Sequence, residues 1–294
     1  MSELNPSGDA APVVLITGAT DGIGKQTARL LASIGAHVIV HGRSRERVDA
    51  TVALIDAEAR EAARGRKQEP PPIEGVVADF SSLRAVRAMA TQFMHRPIDV
   101  LVNNAGIYRR ERDVSADGFE LTLAVNYLAP LVLTHMLLPS LHRSGRGRIV
   151  NVSSVVHVRC RLEWDNLQGE IEYDDYQAYA TSTLGLVLMA GEMGRRISDG
   201  TTINAMHPGT VSTKLLKEGF GVDGDDSIES AASMIGYLAL ARDVAKTTGK
   251  YYSEGRLARA HSLAGDPLTA GRFYELTTQM AGIEPLPKRR PTGV

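Results

Sequence analysis

Nine residues, Thr17-Gly18-Ala19-Thr20-Asp21-Gly22-Ile23-Gly24-Lys25, set three glycines between an apolar run and a stretch of helical spacing. Glycine at such a corner lets the backbone turn tightly and approach a pyrophosphate. A helix N-terminus behind it offers unpaired N–H groups and a partial positive charge. The chemistry within reach is the binding of a dinucleotide. Gly-rich turns also close strand–helix corners that bind nothing, so the turn alone leaves both readings open. It is not a nucleoside triphosphate loop: five residues separate Gly18 from Gly24, and Gln26 follows the lysine where Ser or Thr is required. Other chemistries lack their residues. The eight histidines, among them His37, His41, His135, His142 and His157, are scattered without a His-Glu-x-x-His arrangement, and no metal site is expected. No Gly-x-Ser-x-Gly elbow presents a serine nucleophile. The single cysteine, Cys160, supports neither an internal disulfide nor a cysteine-rich metal site, and fits a reducing compartment.

The elements that must position the turn alternate along the chain. Pro12–Thr17 is a short apolar, β-branched run that predicts a buried parallel strand. Helical spacing follows over Gly22–Ile34. The next strand is predicted at His37–Val40, and Ser44 caps a charged helix from Arg45 to about Ala63. Residues Gly65–Pro72 form a loop rich in Pro and charge. Strands are predicted again at Ile73–Ala78, Asp99–Val102, Arg148–Val152, Thr202–Met206 and Lys250–Ser253. Helices are predicted at Ser81–Met94, Gly118–Leu141, Tyr176–Ile197 and Ser227–Arg242. About seven strands separated by helices imply right-handed crossovers and a parallel sheet covered on both faces. The expected fold is α/β, a single-domain Rossmann-type doubly wound sheet over residues 12–283, with flexible tails at 1–11 and 284–294.

Composition narrows the partners. Lys+Arg total 33 and Asp+Glu 34, a net charge of -1 that argues against a nucleic-acid binder. Hydrophobic residues are 43% and charged residues 23% of the 294, the mix of a globular protein. The longest mostly apolar stretch, Leu128–Pro139, is short of the roughly 20 residues a membrane span needs. The first residues lack the basic start and apolar run of a signal peptide, so a cytoplasmic location is expected.

The pattern Thr17-Gly18-x-x-x-Gly22-x-Gly24, followed by Asn103-Asn104-Ala105-Gly106, resembles the short-chain dehydrogenase/reductase family over roughly residues 12–283. Ala116–Glu120, Arg148–Ser154, Asn166–Gly169, His207–Val211 and Thr248–Tyr251 resemble the branch that contains retinol dehydrogenases. The resemblance implies that Gly18, Gly22 and Gly24, with Thr20, Asp21 and Ile23 between them, cradle the pyrophosphate of a nicotinamide cofactor. Asp79 and the adjacent Phe80 would meet the adenine. Asn103, Ala105 and Gly106 would support the central sheet and the ribose, and Pro208, Gly209, Val211 and Thr213 would hold the carboxamide. Cofactor choice has a physical argument. Binders of NAD(H) place an acid at the end of the second strand for the ribose 2′-OH. Here that end reads Val40-His41-Gly42-Arg43, where Arg43 suits a 2′-phosphate and Lys25 adds charge. NADP(H) is expected in preference to NAD(H).

By the same resemblance Tyr179 is the acid/base, Ser154 polarises the substrate oxygen and Asn126 holds a water in a proton relay. The family places a Lys four residues after the Tyr, where its charge lowers the Tyr pKa. This chain has Thr183 there. A charge that shifts a pKa by one to three units is worth roughly 1.4–4 kcal/mol. Three readings follow. One is a carbonyl–alcohol oxidoreductase that tolerates Thr183, helped by the nicotinamide charge or by Arg159 or Arg161. Another is an attenuated variant or a binding protein. The last is a non-redox cyclase, dehydratase or isomerase on the same fold. Redox chemistry on a small lipophilic or polycyclic substrate is the leading expectation, with the substrate met by segments 107–113, 157–175 and 212–226. Tyr176–Ile197 carries apolar residues on more than one face, which predicts burial against the sheet and against another subunit, and the family resemblance implies pairing through this helix in a homodimer or homotetramer.

Overall fold

A computed structural model describes residues 11–64 and 69–289. The tail expected over 1–11 lies outside the described residues except for residue 11. So do residues 65–68 of the expected loop and 290–294 of the expected C-terminal tail. The elements in chain order are β1 (Val13–Ile16), α1 (Gly22–Ser33), β2 (His37–Gly42), α2 (Arg45–Ala62), β3 (Ile73–Val77), α3 (Leu83–Thr91), β4 (Val100–Asn103), α4 (Leu121–Ser144), β5 (Arg148–Val152), α5 (Asp175–Arg196), β6 (Thr202–His207), α6 (Ile228–Leu240), β7 (Tyr251–Ser253), β8 (Arg256–Leu257) and α7 (Pro267–Met280). The sheet order is β3-β2-β1-β4-β5-β6-β7-β8. All pairings are parallel except β7 with β8.

Strand alternation divides the core in two. Leu15, Ile39 and Leu101 face one layer, with α3, α4, α5 and α7. Val14, Ile16, Val38, Val40, Val100 and Val102 face the other, with α1, α2 and α6. The chain reverses direction across the sheet between β1 and β4, and a crevice opens there at the carboxyl ends of the strands.

Three expectations need correction. Among the described residues the sheet has eight strands rather than about seven. Glu254 and Gly255, with φ of 51° and 72°, form a two-residue hairpin that returns β8 antiparallel on the edge. A two-residue strand is too short to show periodicity. Helix α7 was not anticipated, although Asp266 caps it by accepting from Leu268 and Thr269 and Pro267 begins it. The apolar run around Leu128–Pro139 belongs to a longer element. Helix α4 has 24 residues and a mean hydropathy of 1.6 over its most apolar window, enough by length and composition to cross a membrane. That window is 78% buried inside the fold, so α4 serves as a core helix.

Helix α7 lies over α4 and α5. The Tyr127 hydroxyl pairs with Thr277 at 2.8 Å, Tyr274 with His135 at 2.8 Å, and Arg196 with Glu275 at 2.9 Å. The second apolar face of α5, the reason for expecting a partner subunit, is thus covered in cis along this seam.

Candidate active site

The crevice is a cleft of about 760 Å³. Gly18, Thr20, Asp21, Gly22, Ile23, Gly24, Arg43, Asp79, Phe80, Ala105 and Gly106 line one end. Asn126, Ser154, Tyr179, Thr183, Gly209, Val211 and Thr213 line the rest of the cleft. Asn103, Pro208 and Lys25 do not. Asn103 is buried below the cleft, where its amide donates to Thr134 and Asn151 and braces β4 against β5 and α4.

The glycine turn is fixed by its neighbours. The Thr17 hydroxyl accepts from the backbone N–H of Asn104 and Ala105, at 2.9 and 3.0 Å, and lies 3.2 Å from the Val102 carbonyl. The Asn104 side chain donates to the carbonyls of Thr17 and Gly18. Gly18 sits at φ +65°, and a Cβ on Gly24 would come within 2.4 Å of Gly18 O and Asn104 Nδ2. No residue with a side chain fits there without moving the turn. Asp21 caps α1 by accepting from Gly22 at 2.9 Å and pairs with Arg47 and Lys214 at 3.0 and 3.3 Å. Burial acts to raise the Asp21 carboxyl. The Gly22 N–H and the two cations outweigh it and hold the group below its ordinary range.

These residues fit a dinucleotide. The first turn of α1 faces the cleft behind a bend without side-chain bulk. Arg43 is exposed beyond β2 and makes no ion pair among the described residues. Nδ1 of His207, in the cleft wall, is buried without a hydrogen-bond partner. Sequence reasoning passed over Asn104, His41, Arg47 and His207 as site residues. Arg47 was findable from its place in the first turn of the helix after β2. Asn104 stands inside the motif that was read.

At the other end, helix α5 presents Tyr179, and Ser154 lies near enough to its hydroxyl to act on it electrostatically. Burial pushes the Tyr179 phenol up to about 12, against the smaller opposing effect of Ser154. Among the described residues no cation joins them. The Thr183 hydroxyl is 3.1 Å from the carbonyls of both Tyr179 and Ala180 and turns back onto its own helix. The Asn126 side chain sits in a π-turn, Ala124–Leu128, inside α4. It accepts from Ile107 N–H at 2.8 Å and donates to Ile107 O and Ser182 Oγ, pinning the segment after β4 to α5. Ser154 begins a short 3₁₀ turn, and its carbonyl accepts from Nδ1 of buried His157 at 2.6 Å. Tyr108 and Phe220 close over Tyr179, with ring centroids 5.5 Å from it in both cases and 4.6 Å from each other. Leu215, Leu216 and Val222 extend this apolar wall. Trp164 instead packs on Phe273 and Arg272, away from the cleft.

A doubly wound sheet with a glycine turn at one end of its crevice and a buried tyrosine beside a half-buried serine at the other defines a nucleotide-binding enzyme of the dehydrogenase type. The chain belongs to the short chain dehydrogenase family, whose sequence profile matches residues 12–220. It is 32% identical to human retinol dehydrogenase 13 over 290 residues, covering 92% of this chain and 85% of that one. A structure from Mycobacterium paratuberculosis superposes with a TM-score of 0.77 at 27% identity, covering 96% of this chain and 97% of that one. Another, assigned as an NAD(P)-dependent gluconate 5-dehydrogenase of Beutenbergia cavernae with bound NADP at low occupancy, has a TM-score of 0.65 at 27% identity. It covers 85% of this chain and 97% of that one.

Proposed function

We propose that this chain is an NADP(H)-dependent oxidoreductase that interconverts a carbonyl and an alcohol on a small apolar substrate. The observation that carries the reading is that Tyr179 and Ser154 line the same cleft as the glycine turn. Gly18, Gly22 and Gly24 with the first turn of α1 would hold the pyrophosphate, and Arg43 with Arg47 the 2′-phosphate. When bound, the reduced nicotinamide supplies a hydride equivalent to the carbonyl carbon. Ser154 orients the carbonyl oxygen, and Tyr179 delivers its phenolic proton to it. A phenol held neutral by burial is in the correct state for that donation. In the reverse direction it must first lose its proton. The aromatic and aliphatic wall of Tyr108, Phe220, Leu215 and Leu216 favours a lipophilic partner, and the retinol dehydrogenase relatives support the same class.

The test is loss of absorbance at the reduced-nicotinamide band with a panel of apolar aldehydes and ketones. Consumption of NADPH that Y179F abolishes is expected. Binding of NADPH without turnover of any carbonyl would overturn the redox reading. One observation favours a second reading: among the described residues no cation accompanies Tyr179, and acid–base chemistry without hydride transfer does not need a tuned phenol. A cyclase, dehydratase or isomerase would form product with the cofactor unchanged.

A further inference from the structure

His41 is the penultimate residue of β2 and only 3% exposed, on the same face as Ile39 in the strand alternation. The other interior positions of β2, Val38, Ile39 and Val40, are apolar and need no partners. A buried imidazole does, because an unpaired polar group there costs free energy. The ring has two partners from two other strand ends. Nδ1 is 3.2 Å from the backbone nitrogen of Gly18, and Nε2 is 3.1 Å from the carbonyl of Ala78.

The chemistry of those partners fixes the proton. A backbone N–H only donates, so Nδ1 must accept. A carbonyl only accepts, so Nε2 must carry the hydrogen. Both bonds require the same neutral tautomer. Burial depresses the His41 pKa to about 4, so that form persists at working pH. Phe80 stacks on the ring at 4.3 Å with planes 24° apart. The His41 backbone adds a third tie, accepting from Ala19 at 2.8 Å.

We infer that His41 is a positioning residue for the dinucleotide: its neutral imidazole, with the Nε2 proton directed to the Ala78 carbonyl, accepts from the Gly18 N–H and fixes the glycine turn after β1. Gly18, Asp79 and Phe80 all line the cleft. The turn would meet the pyrophosphate, so His41 acts through it without needing to touch the cofactor. This rests on the reading that the turn binds a nicotinamide dinucleotide.

Two substitutions separate the two bonds. In H41N the carboxamide oxygen takes the place of Nδ1 and keeps the Gly18 bond, but it is too short for Ala78. In H41Q the amide nitrogen takes the place of Nε2 and keeps the Ala78 bond, but it leaves Gly18 unpaired. Dissociation constants for NADPH and for NADH are measured by fluorescence titration of wild type, H41N and H41Q, with the thermal midpoint of each. H41Q is expected to weaken both dinucleotides by about tenfold, because both share the pyrophosphate. H41N is expected to stay within about threefold of wild type. The two midpoints fall by similar amounts, so a merely structural role would move both affinities together. H41Q binding as wild type does, or H41N losing as much as H41Q, overturns the inference while the dinucleotide reading stands. A wild type that binds neither dinucleotide overturns that reading and this inference with it.

Discussion

The two ends of the cleft are built from different physics. The cofactor end is a matter of backbone shape: bare glycines, a helix start, and a turn held by Thr17, Asn104 and His41. The proton end is a matter of charge: one phenol, one hydroxyl, and a fourth-residue position where Thr183 has folded its hydroxyl back onto α5. Adding a side chain at Gly18 or Gly24 in the first would require the backbone to shift. Removing the lysine from the second leaves the helix undisturbed, since Thr183 fills its place with both backbone and hydroxyl satisfied. Shape therefore reports faithfully on binding and poorly on catalytic tuning.

Predictions that test this contrast run from large to small. Y179F should lower carbonyl reduction by about 10²- to 10⁴-fold with the Kd for NADPH unchanged, measured by turnover and fluorescence titration. Retained turnover would remove Tyr179 from the mechanism. T183K restores a cation one turn from the phenol and should raise turnover roughly tenfold to a thousandfold. The gain appears in both directions, because an enzyme cannot alter the overall equilibrium. An unchanged rate would mean that the proton end is tuned by something other than charge. Alcohol oxidation by the wild type should climb about tenfold per pH unit through neutral and mildly alkaline pH, because the phenolate it needs is scarce below about 12. Carbonyl reduction, which uses the neutral phenol, should be nearly flat there. A plateau in oxidation near pH 8 would contradict the isolated phenol.

At the shape end, R43A should weaken NADPH by about tenfold and leave NADH unaffected. Equal loss for both would deny Arg43 a role in 2′-phosphate recognition. The smallest effect concerns stability. His41 and His207 have folded pKa values depressed to about 4 by burial, below the ordinary 6.5 of the unfolded chain. Their contribution is full above 6.5 and is lost as pH falls toward 4. Each should cost on the order of 1 kcal/mol over the first pH unit below 6.5, seen in urea midpoints. H41N should remove the share that belongs to the cofactor end.

Much of this was legible in residue types. The alternation of apolar runs with helical spacing located β1 to β7 to within a few residues, because parallel strands buried on both faces are continuously apolar. Ser44 read correctly as a cap. The glycine turn, Tyr179, Ser154 and Thr183 were all named and all reach one cleft. What escaped were partnerships between distant segments. Nothing near His41 in sequence announces Gly18 or Ala78, and nothing near Asn103 says that its amide braces the core. Asn126 was read for a relay, and its amide group is occupied with Ile107 and Ser182. Helix α7 carried its signals in Asp266 and Pro267, but its amphipathic stripe has meaning only against the seam it covers.

That seam has a history each time the protein is made. Helices α4 and α5 leave the ribosome well before Pro267–Met280, which at ordinary synthesis rates is a delay of about 5 to 15 seconds. Throughout it, Tyr127 lacks the Phe273 ring and the Thr277 hydroxyl that enclose it in the finished fold. The nascent chain thus carries this apolar seam uncovered until Pro267–Met280 emerges, and translation arrested before Pro267 would leave it bare in every copy.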